Sequence, residues 1–413
     1  MNLLIPTPKP LAADLGQKTF SITSYGALAD GETLNTAAIQ EAIDLAATCS
    51  GQVLVPEGIF LCGKLTMRSN VSFHLVKGAV LKGSSKHTDY GKDRWHDAFI
   101  VGENLKGFSF SGEGIIDGSD CKNFNGEEGF RGPHGILLHK CTDFLFTGIT
   151  LTRIGNYAIY CNDCSHFALD QVTILRGHDG LHINRCHQVK VTGCNFRTGD
   201  DAYAGCDNRD VTVTDSSINT ACNGFRLGCD GLTVRQCYFW GPACYPHQIS
   251  SRLNMGPAFV HFAPGDRQTK MASDRWLIED CTFDMIDSLY EIRHPEGLWQ
   301  DAQPAREVVF RNIRASGLKD PIHIEDQSGV FVLAIENATL SLRAGCESGP
   351  LLIGKSFRLL EIRNLSLKND GTVPVIQTEG GGDVSLKGIQ PDPGDNPEFF
   401  DLKHTGTTKI NSS

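Results

Sequence analysis

CTDFLFTGITL from Cys141, CSHFALDQVTI from Cys164, CHQVKVTGCNF from Cys186, NRDVTVTDSSI from Asn208 and CDGLTVRQCYF from Cys229 are five copies of one unit. Each opens on a turn residue, runs through an alternating apolar strand, crosses a small polar turn and ends in a second short strand. The starts are separated by 23, 22, 22 and 21 residues. Alternation with period two marks a half-buried strand. A repeat near 22 residues with almost no helix marks an all-β fold, the parallel β-helix, in which coils stack on one another. Leucine-rich repeats have similar lengths, but their fixed Leu and Asn positions are missing, and a propeller blade needs about twice the period. Backbone hydrogen bonds then run between coils about 4.8 Å apart, and inward residues of every strand share one interior.

The same pattern extends in both directions. NLKGFSFSGEGIIDG from Asn104 is an earlier copy, and QVLVPEG, IFLCG, KLTMRSN and VSFHLVKGAVLKGS precede it. RWLIEDCTF, REVVFRNI, GVFVLAIENATL, RLLEIRNLSL and GDVSLKGI are degenerate later copies. One helix is expected, over 35–48, capped by Asn35 or Thr36. Its Ile39, Ala42, Ile43 and Ala46 fall on one face, which suits a cap over the open end of a solenoid. The expected organisation is an irregular arm over 1–18, a β-helix domain over 19–390 and a loosely held tail over 391–413. Two long insertions are candidate walls of a cleft. Lys86 to Asp97 carries Tyr90, Arg94, Trp95 and His96; Tyr245 to Arg275 carries His247, Arg252, His261, Asp266, Arg267 and Lys270.

A formal net charge of −10 argues against nucleic acid or an anionic membrane as partner. No apolar stretch approaches the ~20 residues of a membrane helix. Of 15 cysteines, many follow the repeat and read as small apolar residues rather than disulfide halves. Cys161 and Cys164 form a CxxC with no second CxxC to complete a zinc site, so neither a metal nor a cofactor is expected. MNLLIPTPKPLAADLG lacks the basic start and apolar run of a signal peptide. With reduced thiols this favours the cytoplasm, although a protein whose leader had been trimmed would read the same.

The chemistry concentrates in RGHDGLHINRCHQVKVTGCNFRTGDDAYA, Arg176 to Ala204. Asp179, Asp201 and Asn223 are spaced by 22 residues, the length of a coil, so they should form a column. Two carboxylates one strand spacing apart repel, and one holds its proton unless a cation intervenes. That asymmetry suits glycosidic bond cleavage, which needs one acid and one carboxylate to activate water. Asp200 adjoins Asp201. A regular strand would turn the two to opposite sides, but Gly199 and Ala202 permit a bend that presents both. The plain alternative is that these acids cap turns. A second column runs through His182, Ala204 and Arg226. Arg226 could orient a carboxylate or bind an anionic group, and His182 could act as acid, base or donor; either could instead satisfy buried backbone groups. His178 and Tyr203 flank the aspartates. YEIRHPEG supplies Glu291, Arg293 and His294, with Trp299 just beyond, as a candidate carbohydrate subsite, although Trp299 could equally be edge core.

From about Thr19 to Leu340 the chain resembles glycoside hydrolase family 28, the polygalacturonase-like enzymes built on a right-handed parallel β-helix. The resemblance includes FSITSYGALADGETLNTAAIQEAI, GQVLVPEGIFLCGKLTMRSNVSFHLVKGAVLKGS and FSGEGIIDG. Most specifically, HDGLHI followed by FRTGDD is similar to that family's Asn-Thr-Asp-Gly and Gly-Asp-Asp motifs. The resemblance implies inverting hydrolysis of an α-glycosidic bond in a pectic polysaccharide, with Asp200 as general acid and Asp179 and Asp201 holding and deprotonating water. The chain departs from the family where His178 replaces a Thr and Asn223 replaces a His. Glu291-Ile292-Arg293 stands where the family has Arg-Ile-Lys. These changes point to a different pectic or plant-derived linkage, or to short oligosaccharides. A calcium-dependent lyase, a glycosyl or fructosyl transferase and a non-catalytic carbohydrate-binding β-helix remain the alternatives.

Overall fold

The structure, a computed structural model, describes residues 17–93, 95–346, 349–368, 375–390, 400–403 and 406–411. Arg94, the arm through residue 16 and part of the expected tail lie outside the described residues. The chain divides into two compact units, Met1–Asp200 and Asp201–Ser413.

In the first unit, helix α1 (Thr36–Ala47) buries Ile39, Ala42, Ile43 and Ala46, as its periodicity requires. It packs on the strands Thr19–Ser21, Gln52–Val55 and Leu65–Thr66. Asn35 precedes the helix but does not cap it with its side chain. Its amide instead bonds the carbonyls of Leu28, Thr33 and Leu61. Beyond the helix, parallel strands stack in the repeat's register. Thr142 faces Ser165 and Ser165 faces His187, reproducing the 23- and 22-residue steps. Leu138, Cys161 and Ile183 form an inward row, while Leu137, Tyr160 and His182 form an adjacent outward one. Phe108, Phe144 and Phe167 stack with centroids 4.9 and 4.5 Å apart, three coils contributing one ring each.

Coil corners explain the cysteines. Lys140, Asp163, Arg185, Gln236 and Asp280 all have φ between 53° and 55°, the left-handed conformation that turns the chain. The cysteine that follows each of them donates its thiol to the carbonyl two residues back. These contacts are Cys141 to His139 (3.4 Å), Cys164 to Asn162 (3.3 Å), Cys186 to Asn184 (3.4 Å), Cys237 to Arg235 (3.2 Å) and Cys281 to Glu279 (3.2 Å). A small apolar side chain with a weak donor suits a buried corner. All 15 cysteines are free thiols. Burial pushes Cys194 up to about 12 and also raises Cys161 of the CxxC, which leaves both thiols protonated and unreactive.

The second unit repeats this construction. Tyr203, Phe225, Phe259 and Tyr290 are register partners in successive coils and fill the interior. Asn312, Asn337 and Asn364 occupy left-handed corners and bond side chain to side chain at 3.1 and 2.9 Å. Within the expected loose tail, Phe400–Leu402 and Thr408–Asn411 form strands. Phe400–Leu402 pairs with Ile376–Thr378 and Thr408–Asn411 pairs with the strand Asp383–Gln390, so the coil pattern continues where alternation in the sequence had become too short to read. Both units are all-β stacks of parallel coils. Among the described residues, no helix is long and apolar enough to cross a membrane.

Candidate active site

Asp179 lies just before the strand Leu181–Asn184, and its Oδ2 is 2.7 Å from His182 Nδ1. Both side chains are buried. The His182 ring stacks on Tyr157 at 4.3 Å and 9°, and Tyr160 meets its edge. His182 therefore bonds the acid directly. His178 is also buried, with its ring 5.6 Å from Phe130. Strand structure stops at Thr198, and Asp200 lies in the bend that Gly199 permits. The Asp200 amide donates to the His178 carbonyl at 3.4 Å, and the Thr198 hydroxyl donates to the Asp200 carbonyl at 2.7 Å.

The partner of Asp200 was not foreseen. Arg131 Nη2 donates to Asp200 Oδ2 at 3.0 Å. On its other side, Arg131 Nε donates to Glu128 Oε2 at 2.8 Å, and Nη1 approaches Asn156 Oδ1 at 3.4 Å. Burial opposes the charged guanidinium, but the Glu128 bond and the charges of Asp179 and Asp200 outweigh it and raise its pKa. The sequence held one signal. The copies beginning at Asn104 and Cys141 are 37 residues apart, so an insertion was due, and NGEEGFRG within it carries two acids and an arginine.

In the second unit, Asn223 donates to Asp201 Oδ1 twice, from its backbone at 3.1 Å and from Nδ2 at 2.8 Å. The 22-residue column is thus realised between Asp201 and Asn223. Arg226 Nε donates to Asp201 Oδ2, and Ala204 and Arg226 are register partners as expected. The guanidinium lies over Phe262 (4.4 Å) and Trp299 (4.9 Å). Trp299 is 45% exposed, so it is not core. Arg226, Val260, Glu291 and His323 then follow one another along a single outward row. Glu291 and Arg293 pair at 3.5 Å on the same face of their strand. His294 Nδ1 lies 2.6 Å from the Gln300 carbonyl oxygen, and the Arg293 amide donates to Gln300 Oε1 at 2.7 Å, which ties down the turn that carries Trp299.

Three expectations for exposed site residues require correction. Tyr203 is fully buried and stacks on Phe225 at 4.3 Å, because in its strand it points inward while Ala204 points outward. Tyr90 is buried edge-on against Phe99, with its hydroxyl donating to the Ser84 carbonyl at 2.7 Å. His261 is buried between Ser273 Oγ (3.0 Å) and the Gln303 carbonyl (2.6 Å), and burial depresses it to about 4. Tyr90 and His261 anchor insertions and do not line them.

Each aspartate thus has a basic partner: His182 for Asp179, Arg131 for Asp200 and Arg226 for Asp201. Residues 46–231 contain all six, and they match the model of glycosyl hydrolases family 28. Over that segment, a little under half of its length, the chain is similar to family 28. It is 47% identical over 123 residues to an exo-poly-alpha-D-galacturonosidase of Dickeya chrysanthemi, a match covering 25% of this chain and 20% of that one. It is 26% identical over 212 residues to a probable polygalacturonase of Vitis vinifera, covering 45% and 43%. The matched segments thus span less than half the length of either relative. In fold, it superposes on the family 28 exopolygalacturonase of Yersinia enterocolitica with TM-score 0.64 and 16% identity, covering 96% of this chain and 79% of that structure. The superposition agrees with the all-β parallel β-helix read from the repeats.

Proposed function

We propose that the protein is a glycoside hydrolase that cleaves an α-glycosidic bond in a pectic or related plant polysaccharide or oligosaccharide, with inversion. In this reading the Asp200 carboxyl gives its proton to the leaving oxygen as the glycosidic C–O bond breaks. Water attacks the anomeric carbon from the opposite face, and Asp179 and Asp201 orient it and take its proton. The observation that carries the reading is the bend at Asp200. Two consecutive aspartates leave the strand pattern there, and each accepts a hydrogen bond from a separate arginine.

The match to the family 28 model and the galacturonide-cleaving names of the relatives support a pectic substrate. The exposed Trp299, with Arg226 against its face, supports a sugar-stacking position beside the acid that holds water. Glu291, neutralised by Arg293, favours a neutral group over a second uronate at its position on the row.

The test incubates the protein and Asp200→Asn with polygalacturonate, rhamnogalacturonan and short pectic oligosaccharides. Reducing ends and the ultraviolet absorbance of unsaturated products are followed together, with and without chelator. New reducing ends without absorbance, insensitive to chelator and abolished in the variant, are expected. Absorbance that disappears on chelation would replace hydrolysis by a calcium-dependent lyase.

A further inference from the structure

We propose that Arg131, held by Glu128, is the positioning residue of Asp200: it aims the carboxyl and, together with Glu128, sets the charge that the carboxyl faces. The inference rests on the reading of Asp200 as proton donor. It starts from a conflict of charge. A donor must carry a proton, yet a guanidinium 3.0 Å away favours the ionised carboxylate. Glu128 resolves this. Its carboxylate takes the Nε edge of the same guanidinium at 2.8 Å, with a second contact to Nη2 at 3.5 Å, so Arg131 is shared between two acids and presents Asp200 with only part of its charge.

The geometry is built to hold this arrangement. Arg131 is only 5% exposed. Its loop is closed by backbone bonds from Gly126 to Asn123 (2.8 Å), from Asn123 to Phe130 (3.3 Å) and from Arg131 to Glu127 (3.0 Å). Asn156 takes the remaining guanidinium edge at 3.4 Å. Within the first unit, the ionisable groups around the pair include Glu127, whose carboxylate lies 4.0 Å from Arg131 Nε, then Asp179 and Tyr157, whose charges act on Arg131. His178 meets Asp200 through its backbone, His182 holds Asp179, and Asp201 is the next residue in the chain. Only Glu128 bonds Arg131 Nε at hydrogen-bond distance, so removing either partner of that contact should act on Asp200 with opposite sign.

The experiment records pH profiles of kcat and KM for the full chain, Arg131→Met, Arg131→Lys and Glu128→Gln, on whichever substrate the unaltered protein cleaves. Thermal melts confirm that each variant is folded. Arg131→Met removes the cation, so Asp200 keeps its proton to higher pH and the alkaline limb should move up by about one unit. Loss of aim should lower kcat by about 10²-fold with little change in KM. Glu128→Gln withdraws the acid that shares the guanidinium most closely, so Asp200 faces more of its charge and the same limb should move down. Arg131→Lys keeps the charge and should restore the limb while recovering only part of kcat, because an ammonium lacks the two-sided fork. Limbs that stay fixed, or that move the same way in Arg131→Met and Glu128→Gln, would overturn the proposal. Opposite shifts on the acidic limb would instead sustain Arg131 as the positioning residue and show that Asp200 works as a base.

Discussion

The protein builds ion pairs in two ways on the same scaffold. On the outer wall of the second unit, Arg235, Glu279, Arg311, Glu336 and Arg363 are register partners in five successive coils. They alternate in sign and link at 2.8, 3.4, 2.7 and 3.8 Å. Their side chains are 17–52% exposed. The aspartates of the candidate site use the same residue types, but Asp179 and Asp201 are about 1% exposed and Asp200 12%. In the ladder each charge has neighbours above and below, and water screens them all. In the site each acid is assigned one cation and little solvent. Periodicity makes ladders almost automatically. The pair at Asp200 needs a residue from outside the period, and Arg131 comes from an insertion.

The comparison is tested most severely at Asp200. Asp200→Asn keeps the shape and removes the acidic proton, and activity should fall by about 10²- to 10⁴-fold while thermal melts show a folded protein. A variant that retained full turnover would place the acid elsewhere. Next comes Arg226→Met. It takes the cation away from the buried Asp201 carboxylate, and losing one partner of a buried pair costs about 3–5 kcal/mol. Chemical denaturation should therefore show a loss of that order, together with weakened substrate binding. A loss below about 1 kcal/mol would mean that the Arg226–Asp201 pair behaves like a rung of the ladder.

How much of this was legible follows from the same contrast. The period near 22, helix α1 and the Asp201–Asn223 and Ala204–Arg226 columns could be read because each is a fixed offset along the chain, and stacking converts offsets into neighbours. Tyr203 was misjudged because a bend before it resets which residues point inward, and no offset reports that. Tyr90 and His261 were taken for cleft residues because polar aromatics in insertions look exposed; their buried hydrogen bonds are tertiary. Arg131 went unseen because it lies in an insertion, where stacking does not convert an offset into a neighbour. The strands after residue 399 were hidden because three- and four-residue segments carry too little alternation to register.

A smaller effect is expected from His134. It is fully buried, its Nε2 lies 2.7 Å from the Trp95 carbonyl, and its ring packs 4.9 Å from Tyr157, the residue under His182. Burial depresses its pKa to about 3, with further lowering from the nearby charges of His182, His96 and Arg131. The unfolded chain binds a proton there below about pH 6.5 and the folded one does not until about 3. Stability should therefore fall as pH drops through that window, by at most about 1.4 kcal/mol per unit from this residue. His134→Gln should flatten the slope between pH 6 and 4. His261, depressed to about 4, should leave a residual slope of the same sign over a narrower range. An unchanged slope in the variant would show that His134 titrates normally.

The ladder supplies the smallest effect and the reference for the others. Glu336→Gln breaks the contacts to Arg311 and Arg363, leaving both arginines mostly in solvent and Arg311 still within reach of Glu279 at 3.4 Å. Exposed pairs contribute roughly 0.2–1 kcal/mol, so the variant should lose no more than about 1 kcal/mol and keep its turnover. The loss should also shrink as salt is raised, since the pairs it removes are screened. Raising salt should leave the penalty of Arg226→Met nearly intact, because solvent ions reach Asp201 poorly. If both penalties fell together with salt, burial would not distinguish the two sets of pairs, and the site would be a ladder that happens to carry aspartates.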